Sequence, residues 1–102
     1  MFGFLKKLIG QDVPWEELKA KKAVIVDVRT PAEFKSGHVK GAINIPLNNL
    51  PHNLRKIKKY GKPVVTCCAS GRRSGMAAKY LKSEGIEAWN GGPWQKVRQH
   101  MG

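Results

Sequence analysis

The side chains most able to do chemistry are two adjacent cysteines in the segment 63–74, Pro-Val-Val-Thr-Cys-Cys-Ala-Ser-Gly-Arg-Arg-Ser. A cysteine reacts as its thiolate, and the pKa of a thiol falls beside fixed positive charge and at the amino terminus of a helix. Arg72 and Arg73 carry charge that is not lost at neutral pH. A helical pattern follows, and the first N–H groups of that helix would favour a thiolate or a bound anion. The segment predicts a reactive cysteine of low pKa next to an anion pocket.

A strand before the cysteines and a helix after them must position these side chains. The segment 63–68 begins as an apolar, β-branched run, which is typical of a strand buried on both faces. From Ser74 to Glu84 the apolar side chains recur at helical spacing, and Gly85 is placed to end that helix. Open α/β sheets bind their ligands where a parallel strand ends and a helix begins. The cysteines therefore lie where such a sheet would carry an active site.

The rest of the chain alternates between helical and strand patterns, which favours a parallel sheet with helices on both faces. Thr30, Pro31 and Glu33 form the signature of a helix start with a capping box. We expect an α/β fold, a three-layer α/β/α sandwich with a central parallel sheet of four strands and a possible fifth near the amino terminus. The other predicted elements are helices from Asp12 to Ala20, from Thr30 to Gly37, within 47–59 with an irregular start at Pro51, and from Pro93 to His100, and strands at 23–28, 41–46 and 86–89, with a turn at 90–92.

Length and composition indicate one globular domain with a basic surface. The chain has 102 residues and a net charge of +12, which allows one hydrophobic core and no second domain. Most of this charge is expected to be solvated surface, although the basic run 55–62 could dock an acidic partner. No basic-aromatic stacking pattern is present, so nucleic acid is not an expected partner. The cysteines have neither disulfide-framework nor zinc-site spacing, so neither a disulfide framework nor a metal site is expected.

Residues 1–11 are expected to form an amino-terminal extension, and residues 12–102 the folded domain. The extension is apolar with two lysines, but it lacks the order and length of a secretory signal. No stretch approaches the length of a transmembrane helix. We therefore expect a cytoplasmic protein without stable membrane insertion.

Several motifs, taken in order, resemble those of the single-domain rhodaneses, a family of sulfurtransferases, over about residues 12–100. The active-site loop of that family resembles residues 68–74, Cys-Ala-Ser-Gly-Arg-Arg-Ser. The other matching motifs are Asp27-Val28-Arg29 with Glu33-Phe34, the run 37–46 (Gly-His-Val-Lys-Gly-Ala-Ile-Asn-Ile-Pro), and Trp89-Asn90-Gly91-Gly92 with Trp94. Domain 12–102 is therefore interpreted as rhodanese-like.

The resemblance implies a five-stranded α/β/α sandwich and a reaction without a cofactor. In that reaction the outer sulfur of thiosulfate, a small anionic donor, passes to cyanide or a thiol by way of a persulfide on the nucleophile Cys68. The basic loop favours thiosulfate over 3-mercaptopyruvate, and an acidic protein could be the sulfur acceptor. The other site residues that it implies are Ala69, Ser70, Gly71, Arg72 and Arg73 in the sulfur-binding loop, with Arg73 as the pocket arginine, and Asp27, Arg29 and Ser74 in supporting positions.

Two other interpretations remain open. Cys67 and Arg73 have the Cys-x5-Arg spacing of phosphatases and arsenate reductases. Thr66 stands where the phosphatases usually have histidine, and no aspartate stands out as a general acid, so Cys68 is favoured. Alternation along a strand would turn Cys67 to the opposite face, as a small buried hydrophobe. The remaining alternative is a non-catalytic rhodanese fold that serves as an interaction module, which the intact cysteine and arginine loop disfavours.

Overall fold

A computed structural model describes residues 12–102, which fold as helices on both faces of a parallel sheet. The predicted α/β sandwich is confirmed, and so is the irregular start of the third helix. The amino-terminal extension and the possible fifth strand lie outside the described residues. In chain order the elements are α1 (Trp15–Ala20), β1 (Val24–Asp27), α2 (Pro31–Ser36), β2 (Ile43–Asn44), two 3₁₀ turns (Leu47–Asn49 and Pro51–Asn53), α3 (Leu54–Tyr60), β3 (Val64–Cys68), α4 (Arg72–Ser83), β4 (Ala88–Pro93) and α5 (Trp94–Met101).

The sheet has the strand order β2-β1-β3-β4, and every neighbouring pair is parallel. β1 and β3 occupy the centre, and each residue of β3 is buried, as its continuous apolar run predicts. Within the pair, Val24 lies beside Val64 and Asp27 lies beside Cys67. The carboxyl ends of the strands meet at one edge of the sheet, and Cys68 ends β3 at that edge.

Alternate residues of the central strands point into two separate hydrophobic cores. The first core lies between the sheet and helices α3 and α4, and the second between the sheet and helices α1 and α5. The two cysteines lie in different cores, Cys68 in the first and Cys67 in the second, as the strand alternation predicts. Other members of the first core are Val26, Ile57, Val64 and Leu81, and other members of the second are Leu18, Val39, Val65 and Val97.

Helix α4 begins at Arg72, two residues before the predicted start at Ser74. Gly71 takes the N-cap position in a left-handed conformation (φ 97°), which lets the chain leave β3 and enter the helix within one short loop. Both arginines therefore belong to the first turn of α4, and the loop itself contains only residues 69–71.

Strand β4 starts later than expected and continues to Pro93, through the turn predicted at 90–92. It keeps pairing with β3 across a register shift, so that Pro93 lies beside Cys68. Gly91 suits this strand because a Cβ there would lie only 2.5 Å from Cγ2 of Val97 in α5. Close packing against a helix therefore accounts for this turn-type residue inside a strand.

The first two helices show one wrong boundary and one confirmed cap. Helix α1 begins at Trp15 and is not capped by Asp12, because the backbone N–H of Trp15 donates to the Val13 carbonyl at 2.8 Å in a tight turn before the helix. Helix α2 has the predicted capping box, in which Thr30 and Glu33 each bind the backbone of the other.

None of the helices between residues 12 and 102 has the length and apolar character that a membrane-spanning helix needs.

Candidate active site

The thiol of Cys68 ends β3 and is enclosed by the start of α4. Its Sγ atom accepts hydrogen bonds from the backbone N–H of Gly71, at 3.0 Å, and of Ser74, at 3.4 Å. The Oγ atom of Ser74 lies 3.3 Å from the same sulfur. Two backbone N–H donors, with a hydroxyl that can also donate, favour the charged thiolate over the neutral thiol.

Opposing effects act on the pKa of Cys68. Burial is the largest single cause, and it raises the pKa by penalising the charged thiolate. Hydrogen bonds from the Ser74 side chain and from the backbone of Ser74, Gly71 and Ser70 lower the pKa, and together they outweigh burial. The pKa of Cys68 therefore lies below the ordinary value of a thiol, the direction that the sequence indicates.

The two arginines after the loop have different surroundings. Arg73 donates two hydrogen bonds to the carboxylate of Glu33 in α2, at 2.8 and 3.0 Å. This bidentate bond is the main reason that the pKa of Glu33 falls to about 2 and that the pKa of Arg73 is raised. The Arg72 side chain is exposed and forms no ion pair with another of the residues 12–102. Arg73 is thus held between two helices, whereas Arg72 presents its charge to solvent.

Asp27 and Arg29 form a buried ion pair at the same edge of the sheet. The carboxylate accepts from Nε of Arg29 at 2.9 Å and from Nη2 at 2.7 Å. The same Nη2 donates to the Gly37 carbonyl at 2.6 Å. Because Asp27 lies beside Cys67 in the strand register, it points to the face opposite the Cys68 sulfur. The pair joins the loop after β1 to the end of α2.

Cys67 is buried in the second core among Leu18, Val65 and Val97. Burial raises the pKa of its thiol well above the usual range, and the nearby Asp27 carboxylate raises it further. Both cysteines are free thiols. Cys67 therefore stays protonated and lies on the face away from the loop, which does not favour the Cys-x5-Arg interpretation.

Asn90 lies at the site, although neither the predicted turn at 90–92 nor the motif at 89–92 assigns its side chain a place there. Its Oδ1 accepts from the Ser74 hydroxyl at 2.7 Å and from the Gly92 N–H at 3.0 Å. Its Nδ2 donates to the Gly71 carbonyl at 3.1 Å. An asparagine before two glycines is typical of a turn, and only the pairing of β4 with β3 brings this side chain to the loop.

Two surface cavities of about 500 and 570 Å³ lie along α3 and the end of α4, and Cys68 lines neither. Among residues 12–102, no cluster of histidine, cysteine, aspartate and glutamate could hold a metal ion.

Comparison with known proteins gives a consistent result. The family model of the rhodanese-like domain matches residues 11–93. An uncharacterized Bacillus subtilis protein, YqhL, is 44% identical over 72 residues, which are 69% of this chain and 56% of that protein. The thiosulfate sulfurtransferase GlpE of Shewanella oneidensis is 36% identical over 69 residues, 68% of this chain and 67% of GlpE.

Among solved structures, a rhodanese-like domain protein from Staphylococcus aureus matches with a TM-score of 0.69 and 34% identity, over 82% of this chain and 86% of that one. The first curated relatives are longer proteins, since the matched segments span only 40% to 57% of their length.

Proposed function

The chain belongs to the rhodanese-like domain family, and from that premise we propose that it is a thiosulfate sulfurtransferase that carries sulfur as a persulfide on Cys68. The observation that carries the proposal is the set of donors on one sulfur, namely the backbone N–H groups of Gly71 and Ser74 and the Ser74 hydroxyl. These donors stabilise a thiolate before the reaction and can stabilise the persulfide anion after it. The name of GlpE, thiosulfate sulfurtransferase, supports the choice of donor.

The first half-reaction transfers one sulfur atom and consumes no cofactor. The Cys68 thiolate attacks the outer sulfur of thiosulfate, a new S–S bond forms, and the S–S bond of thiosulfate breaks. The electron pair of the broken bond leaves with sulfite. The Cys68 thiolate and the thiosulfate dianion thus become a persulfide anion and a sulfite dianion. In the second half-reaction cyanide or a thiolate attacks the outer sulfur, and the Cys68 thiolate is restored.

Access to the sulfur requires a small movement of the loop. The Cys68 side chain is 0% exposed, whereas Ala69 and Ser70, which follow it, are exposed. A donor therefore meets the loop 69–71 first, and the loop must shift to admit the outer sulfur.

Arg72 and Arg73 have different roles toward the anionic donor. Arg72 is exposed at the start of α4, so it can draw thiosulfate toward the loop by charge attraction. Arg73 is bound to Glu33, and this ion pair restrains its charge near Cys68. We therefore assign donor capture to Arg72 and support of the loop to Arg73.

The physiological acceptor could be an acidic protein. The basic run 55–62, with Arg55, Lys56, Lys58 and Lys59 on α3, lies on the same side of the sheet as the Cys68 thiol. A negatively charged partner would be attracted to this face, and the attraction would weaken as salt is added.

A pair of activity assays tests the proposed function. With thiosulfate and cyanide the protein should form thiocyanate, and Arg72→Gln should raise KM for thiosulfate more than it changes kcat. Hydrolysis of p-nitrophenyl phosphate without thiocyanate formation would instead assign the protein to the phosphatases. Absence of both activities would favour the non-catalytic interaction module.

A further inference from the structure

The hydrogen bonds of Cys68 continue away from the loop, through Ser74, to the side chain of Asn90 in β4. Asn90 uses both ends of its carboxamide, since Oδ1 accepts from Ser74 and Gly92 and Nδ2 donates to Gly71. It thereby contacts the two residues, Gly71 and Ser74, whose groups surround the Cys68 sulfur.

The partners of Asn90 fix which end of its carboxamide faces which group. A carbonyl oxygen of Gly71 needs a donor, and the N–H of Gly92 needs an acceptor, so a flipped amide would lose both bonds. The Ser74 hydroxyl has one proton and two acceptors within reach, Oδ1 of Asn90 at 2.7 Å and Sγ of Cys68 at 3.3 Å. When Cys68 is protonated, its S–H can donate to Ser74 and the Ser74 hydroxyl donates to Asn90. When Cys68 is ionised, the hydroxyl proton can turn to the sulfur.

The packing around Asn90 is also built for this side chain. Gly75 lies inside helix α4, where glycine is less stable than alanine. A Cβ on Gly75 would lie 3.1 Å from Nδ2 of Asn90, which is closer than most real contacts. The helix therefore forgoes a better helix former at the point where the Asn90 carboxamide packs.

We propose that Asn90 is a positioning residue, which holds the Gly71 carbonyl and the Ser74 hydroxyl oxygen in place, so that the backbone N–H groups of Gly71 and Ser74 point at the Cys68 thiolate. The proposal rests on the assignment of Cys68 as the reactive thiol. Asn90 itself forms no hydrogen bond with the Cys68 sulfur. Two titratable groups among the described residues interact electrostatically with Cys68, namely Arg73 on α4 and Cys67 on the same strand.

Asn90→Asp tests the proposal because it keeps the shape of the side chain and changes its hydrogen bonding. The new carboxylate cannot donate to the Gly71 carbonyl, competes more strongly for the Ser74 proton, and adds negative charge near the thiolate. All three effects raise the pKa of Cys68, by about one unit or more, which slows iodoacetamide labelling about tenfold below that pKa. The measurement is the rate of Cys68 labelling against pH. Asn48→Asp is the matched control, since it makes the same charge change at an exposed position and should leave the rate nearly unchanged.

Two further variants separate positioning from a general effect of charge or folding. In a Ser74→Ala background the Asn90→Asp shift should shrink, because one of the routes to the sulfur is gone. Gly75→Ala crowds Asn90 while favouring the helix, so it should raise the pKa of Cys68 by a smaller amount. This variant tests the role of Asn90 if Asn90→Asp does not fold.

The proposal fails if Asn90→Asp labels like the wild type or like Asn48→Asp, if its shift is undiminished without the Ser74 hydroxyl, or if Gly75→Ala leaves the pKa unchanged. Labelling needs no sulfur donor, so these results stand apart from the thiosulfate assay. A shifted pKa together with a failed assay would keep this inference and reject the proposed function.

Discussion

Cys67 and Cys68 are neighbours in the chain, yet their surroundings are nearly opposite. The Cys67 thiol lies in the second core, where burial and the Asp27 carboxylate raise its pKa. The Cys68 thiol also has no exposed surface but lies less deep in the protein, and backbone N–H groups and a hydroxyl lower its pKa. Burial alone therefore does not decide whether a thiol is inert. The donors within reach of its sulfur decide it, and a strand that turns successive residues to opposite faces can separate the two outcomes by one position.

Two ion pairs of the protein also differ in how far they are exposed to solvent. Asp27 and Arg29 are buried on the Cys67 face, with side chains 0% and 4% exposed, and they join two loops. Glu33 and Arg73 are both 36% exposed and lie beside the loop that follows Cys68. The first pair should matter chiefly for folding, and the second chiefly for the loop.

The largest effect is expected from Asp27→Ala, which should lower the stability of the protein. This variant leaves the Arg29 guanidinium buried without its carboxylate. The free energy of unfolding should fall by about 3–5 kcal/mol, as for other broken buried ion pairs, while the labelling pKa of Cys68 stays close to the wild-type value. Urea unfolding measures the first quantity and pH-dependent alkylation the second.

Glu17→Ala is the control for that loss of stability, since Glu17 forms an exposed ion pair with Lys21 at 3.2 Å. Such a pair should contribute less than about 1 kcal/mol to the free energy of unfolding. An Asp27→Ala variant of unchanged stability, with a shifted pKa at Cys68, would mean that the two faces are not separate.

An intermediate effect is expected from Ser74→Ala, which removes the hydroxyl from the Cys68 sulfur. A hydrogen bond to a charged group is worth about 1.5–3 kcal/mol, so the pKa of Cys68 should rise by about one unit or more. Cys68 labelling at neutral pH would then slow about tenfold. If the rate against pH is the same in both proteins, the hydroxyl does not contribute to the difference between the two thiols.

The smallest effect is expected from Glu33→Gln, which removes the charge from the ion pair with Arg73 but can still accept from the backbone N–H of Thr30. Folding lowers the pKa of Glu33 from 4.5 to about 2. The carboxylate therefore stabilises the fold above the higher value, and that contribution is lost as pH falls through the lower one.

Urea midpoints measured across this pH range check the sign. The variant should be slightly less stable than the wild type at neutral pH, and the two should converge near pH 2. A difference that grows on acidification would contradict the ion pair as described.

Local signals were enough to predict the elements that precede the site, but not every contact within it. The capping box of Thr30 and Glu33 and the buried run of β3 depend on residues close in sequence, and both are confirmed. The bond between Glu33 and Arg73 joins residues 40 positions apart, and no local pattern announces it. Asparagine and glycine favour turns locally, which predicts a turn at Asn90, whereas pairing with β3 keeps Asn90 in a strand. The predicted start of α4 at Ser74 is wrong, because one left-handed glycine is enough to begin the helix at Arg72.

Mass measurement after incubation with thiosulfate tests most directly whether Cys68 rather than Cys67 is the reactive thiol. The wild-type protein should gain one sulfur atom, Cys67→Ala should gain the same, and Cys68→Ala should gain none. Fragmentation of the loaded wild type should place the added sulfur on Cys68. If Cys68→Ala gains a sulfur atom and Cys67→Ala does not, the account is contradicted. The reactive thiol would then be Cys67, which lies on the face of the second core.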